Sequence, residues 1–144
     1  MLRSVLAVIA GFLTMGMSVG LFDAALGALM PGEFPKPGEQ RHPGEMVLLI
    51  EMAAGLLFAV LGGYVTAVAA KHSEALHATA LAALVLTLGI VTVATQYESK
   101  PLWSHVGLTA VGVLGVLAGG WLRVAQKKRT ASPESPQPRT NNMS

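Results

Sequence analysis

Apolar positions in this chain are massed into four long runs separated by short polar breaks, with neither the two-residue alternation of a half-buried strand nor the polar face of a surface helix. The runs cover about residues 5–30, 46–70, 75–95 and 102–124, each at or above the ~20 residues that carry a helix across a bilayer. The pattern predicts an all-α fold, a transmembrane four-helix bundle of antiparallel up-down topology. It places a four-span domain over 1–125 and a basic, disordered tail over 126–144. The link Lys71-His72-Ser73-Glu74 is so short that the second and third helices must lie side by side. Trp103 and Trp121 bracket the fourth run, about 27 Å apart at 1.5 Å per residue, which suits an aromatic at each interface.

A signal peptide is the competing reading of the first run, since Arg3 precedes it and Ala25-Leu26-Gly27 suits a signal peptidase. The run exceeds the ~7–15 residues of a signal core, and an uncleaved span is preferred. Between the first two runs, residues 31–45 repeat Pro-Gly-Glu from Pro31, Pro37 and Pro43. Proline lacks a donor and glycine favours turns, so this is a solvated connector. Its Glu33, Glu39 and Glu45 match no calcium-loop pattern.

Composition narrows the class further. With 52% hydrophobic and 12% charged residues in 144, the chain is too apolar for a soluble domain, and it has no cysteine for a disulfide or thiolate site. Its net charge of +2 is a matter of orientation rather than of nucleic acid. With both termini cytoplasmic, Arg3, Lys71, Arg123, Lys127, Lys128, Arg129 and Arg139 lie inside and Lys36, Arg41 and Lys100 outside, as the positive-inside rule asks. The basic residues after Trp121 are read as attracted to anionic lipid.

The polar groups inside the runs are few. From the rise per residue, Asp23, Glu51 and His105 lie about 12, 9 and 10 Å outward of the middle of their helices, on one level. Glu51 shares a helix face with Gly55, Ala59, Gly62 and Thr66; Asp23 lies on the side of Gly16 and Gly27 with Gly20 close by, and His105 on that of Thr109, Gly112 and Gly119. Two acids and an imidazole converging there form a proton or cation site, or else hydrogen-bond one another to fix helix register. No spacing specifies a metal. On the inner side Tyr64 and His77 fall at one depth on adjacent helices and are expected to hydrogen-bond. Small-residue spacings at Gly16/Gly20, Gly55/Ala59, Gly63/Ala67 and Gly115/Gly119 read first as packing within the chain, with self-association left open.

The chain has no phosphate-binding Gly-x-x-x-x-Gly-Lys, no His-Glu-x-x-His and no Gly-x-Ser-x-Gly. No enzyme, cofactor or metal site is therefore expected. The segment GGYVTAVAAKHSEALHATA, Gly62 to Ala80, resembles a pattern in small uncharacterised bacterial four-helix inner-membrane proteins, where a Gly-Gly-Tyr helix is followed by a His-Ala helix start. That resemblance implies an inner-membrane protein and carries over Gly62, Gly63, Tyr64, His77 and Ala78. Two functions follow as expectations. One is a structural or interaction subunit of the cell envelope, in contact with the lipid bilayer and with a second copy or another membrane protein. The other is a small oligomeric transporter or ion-conducting protein using Asp23, Glu51 and His105.

Overall fold

The computed structural model describes residues 2–34, 42–70, 73–96 and 100–130, the side chains of Leu2, Arg3 and Gln96 excepted. Lys36, Glu39, Arg41, Lys71, His72 and Arg139, on which parts of the loop, orientation and tail readings fall, lie outside the described residues. The described chain is all-α, in four helices: α1 (Leu2–Leu29), α2 (Glu45–Ala70), α3 (Glu74–Gln96) and α4 (Leu102–Thr130). All four contain a stretch long and apolar enough to cross a membrane. Large apolar side chains such as Leu13, Met17, Leu21, Leu57, Ile90 and Leu114 are exposed, as expected where the surroundings are hydrocarbon.

The helix ends follow local chemistry. Ser73 sits in the left-handed region at φ 53°, ending the link from α2, and its carbonyl accepts the amides of Leu76 and His77 at 3.0 and 3.3 Å to start α3. In α4 the helix continues past the predicted boundary at 125 to Thr130, so residues 126–130 are helical. Ala125, Gln126, Lys127, Lys128 and Arg129 are good helix formers, and their cations lie at the helix C-terminus where the macrodipole favours them.

Packing centres on α2 and α4, with α1 on α2 and α3 mainly on α4; the backbones of α1 and α4 make no close approach among the described residues. The α2–α4 seam is made of glycines. A methyl group on Gly63 would strike the carbonyl of Val116, and one on Gly119 the carbonyl of Val60. One on Gly115 would lie 2.7 Å from the Ala59 methyl. Around this seam a cluster of Ala59, Leu81, Ala82 and Val116 is buried, with Val8, Phe12, Met15, Val85 and Val113 against it. Close backbone approach is how helices gain dispersion contacts where lipid tails remove the hydrophobic drive.

One packing expectation is corrected. Gly16 and Gly20 have open space where a side chain would stand, and so does Gly27. The helix meets α2 through Gly11, whose added methyl would collide with Thr66, and through Met15, 3.0 Å from the position of a Cβ on Gly62. At 100° per residue Gly16 and Gly20 lie roughly 140° and 180° around the helix from Gly11, facing away. Gly16→Ala and Gly20→Ala are therefore expected to leave the thermal midpoint of the monomer in detergent unchanged or higher, since alanine is the better helix former by about 1 kcal/mol. A drop in midpoint comparable to that of Gly11→Ala would contradict this arrangement.

Candidate functional site

Helices α1, α2 and α4 each bring one ionisable side chain to a cavity of about 230 Å³. Asp23 comes from α1, Glu51 from α2 and His105 from α4, and Lys100 joins them from just before α4. Each is positioned by the packing of its helix. Asp23 follows Phe22, whose ring packs edge-on against Phe58 at 5.7 Å between centroids and holds α1 to α2. Glu51 lies on the buried face of α2 with Ala54, Ala59, Gly62 and Thr66. The first turn of α4 is set by Pro101, whose carbonyl accepts the amides of Ser104 and His105 at 2.9 and 3.4 Å. Pro101 has no amide to leave unpaired there. The remaining wall is mostly apolar, including Met15, Val19, Val85 and Leu108.

Within the cavity the groups divide into a satisfied pair and an unsatisfied remainder. Glu51, 8% exposed, is ion-paired with Lys100. Asp23 makes no hydrogen bond or ion pair among the described residues, though Glu51 and Lys100 are near enough to act on it electrostatically. His105 is 7% exposed, and its buried Nε2 has no hydrogen-bond partner among the described residues. The hydroxyl of Thr109, also in the wall, is turned back onto the His105 carbonyl at 2.8 Å. The arrangement thus offers, among the described residues, a carboxyl group and an imidazole nitrogen without hydrogen-bond partners, beside an acid paired with a lysine. Among the described residues no three of His, Asp and Glu stand close enough to hold a metal ion.

Lys100 is the cavity residue that sequence reasoning missed, by counting it only among the outer-side charges. A signal was present: a buried glutamate needs a cation within reach, and Lys100 opens the very helix that carries His105.

At the opposite end the expected Tyr64–His77 pair is not formed. The Tyr64 hydroxyl donates to Gln126 Oε1 at 3.1 Å, and His77 Nδ1–H donates to the Ser73 carbonyl at 2.9 Å within its own helix start. The extra turns of α4 past residue 124 bring Gln126 within reach and so redirect the tyrosine. They also bring Lys127 onto the buried Glu74 at 2.9 Å, which sets that lysine against protein rather than lipid alone. The other glycines expected to pack do meet neighbours: Gly55 faces Leu108 at 3.0 Å and Gly112 faces Val85 at 3.1 Å, measured from the position of an added methyl.

Compared with protein-family models, with curated proteins and with solved structures, the chain matches none.

Proposed function

We propose that this is a multi-pass inner-membrane protein, an antiparallel up-down bundle with both termini cytoplasmic, whose outer cavity is the proton or cation site of a small transporter or ion-conducting protein. The sense of the contacts supports the topology: Gly11 meets Thr66 and Phe22 meets Phe58, while Ala78 meets Gly120 and Gly89 meets Thr109. The basic residues of α4 at one end and the resemblance of the middle helices to small bacterial membrane proteins support the orientation and the membrane.

A single observation carries the functional reading. A network kept only for architecture satisfies its buried polar atoms; among the described residues the buried Nε2 of His105 lacks a partner, and the partly exposed Asp23, on the same cavity, makes no hydrogen bond or ion pair. Ionisable groups in a span are expensive to leave so, and an incoming proton or cation supplies what is lacking. Asp23→Asn removes the charge with almost no change in shape. It is expected to keep the thermal midpoint in detergent and to lose pH-dependent ion flux into liposomes. Absence of flux in wild type under every gradient, with Asp23→Asn and Glu51→Gln altering stability alone, would eliminate this reading.

The second reading, a structural or interaction subunit of the envelope, draws on the outward face of α1. Gly16 and Gly20, unused within the chain, leave a flat strip that a helix of a second copy or of another membrane protein can approach closely. Leucine at both positions separates the two readings, because it blocks such an approach and leaves the cavity untouched.

A further inference from the structure

At the end of the bundle opposite the outer cavity, the start of α3 and the last turns of α4 frame a pocket of about 590 Å³. Its charged lining is Glu74, Lys127 and Lys128, and the rest of the wall includes Ser73, Leu76 and Val124. The charges are not equivalent. Glu74 is buried and held by Lys127 at 2.9 Å, whereas Lys128 is exposed and makes no hydrogen bond or ion pair among the described residues. Two lysines against one glutamate leave the lining with one positive charge.

We propose that this pocket holds the phosphodiester of an anionic phospholipid from the surrounding leaflet, with Lys128 as its charge partner. Level, charge and wall chemistry agree. Trp121, exposed on α4, marks the membrane interface as tryptophan does. Lys128 lies on the same face of the helix about 10 Å further along, and its flexible stem lets the ammonium settle at the level of the phosphates. A phosphodiester carries one negative charge, the complement of the charge left over in the lining, and an ammonium bonds it with charge assistance. From the α3 side the exposed Ser73 brings a hydroxyl that can donate to a second phosphate oxygen. Leu76 and Val124 offer apolar surface to the glycerol backbone and the first methylenes of the chains, which a free phosphate ion has no use for. Diffuse attraction of the basic helix end to an anionic surface weights Lys128 and Arg129 alike. The pocket does not, since Arg129 is outside its lining and lies roughly 140° around α4 from Val124.

The test uses the full chain in mild detergent, titrated with dioleoyl phosphatidylglycerol or with dioleoyl phosphatidylcholine, whose choline already balances its phosphate, and bound lipid is counted by native mass spectrometry. Phosphatidylglycerol is expected to show one equivalent bound about tenfold more tightly than phosphatidylcholine, the scale of one charge-assisted hydrogen bond. Lys128→Gln should bring the two lipids level, while Arg129→Gln, which removes the same charge, should leave phosphatidylglycerol as tight as in wild type. Ala75→Phe fills the pocket from its exposed side with every charge kept, and should lose the tight equivalent. All three positions are exposed, and the thermal midpoint without lipid should stay at the wild-type value in each variant. Glycerol 1-phosphate in excess, a head without chains, should not displace the lipid. Equal binding of the two lipids by wild type, equal losses in Lys128→Gln and Arg129→Gln, or a tight equivalent retained in Ala75→Phe overturns the site. Displacement by glycerol 1-phosphate overturns the lipid as its occupant.

Discussion

Gly119→Ala is expected to abolish the folded monomer in mild detergent, and Gly63→Ala to come close to doing so. In each case the new methyl is driven into a backbone carbonyl of the partner helix, that of Val60 for position 119 and of Val116 for position 63. A carbonyl in a helix cannot rotate aside, so the whole of α2 or α4 has to retreat. Overpacking in a close-packed core costs about 1–3 kcal/mol when side chains can yield, and more when backbone must. Both glycines lie on one seam, and the losses should not add in the double variant, since the first retreat makes room for the second methyl. Thermal unfolding followed by circular dichroism reads this directly. Gly16→Ala on the outward face of α1 is the matched control. A midpoint for Gly119→Ala no lower than that of the control would mean that the seam is not closed as described.

The second large effect belongs to Lys100. Lys100→Ala leaves Glu51 buried beside Asp23 with no cation among the described residues of the cavity. Removing one member of a buried pair costs roughly 3–5 kcal/mol, because the other charge stays behind uncompensated. Glu51→Gln in the same chain should recover most of that loss, and Glu51→Gln alone should cost less than Lys100→Ala, since the lysine is 26% exposed and its long stem can carry the ammonium out to the interface. The cycle of four proteins, read as thermal midpoints in one detergent, isolates the coupling. A Lys100→Ala variant as stable as wild type would show that Lys100 is a surface charge and that Glu51 is balanced otherwise.

These two predictions differ in how much of their basis is visible in the sequence. Four spans are legible because bilayer thickness imposes a length of about 20 residues and nothing else in the chain competes with that signal. The fixed rise per residue of a helix is what puts Asp23, Glu51 and His105 at one reckoned depth, and in the structure all three line one cavity without standing close enough together to hold a metal ion. Facing is harder. Small residues spaced four apart report that a helix can be approached, without reporting by what, and Gly16 and Gly20 are read inward when they point out. The helix face that α1 uses is marked by Ala7 and Gly11, a small pair one turn apart among bulkier neighbours. Lys100 is hidden for a different reason: its Cα lies before the span, and only a flexible four-carbon stem takes its charge into the cavity. Tyr64 bonds Gln126 rather than the expected His77 because the length of α4 past residue 124 is set by ordinary helix propensity, a weak signal over a few residues.

The order of contacts along the chain has a bearing on biosynthesis. Helices α1 and α2 pack against each other as neighbours in sequence, and so do α3 and α4, but the glycine seam joins α2 to α4 across the whole of α3. Two hairpins can therefore assemble as they leave the ribosome, while the join between them waits for the last span. Until then Glu51 lacks its lysine, which is translated only at the threshold of that span, and the nascent protein has to carry an unmatched acid until that helix is made.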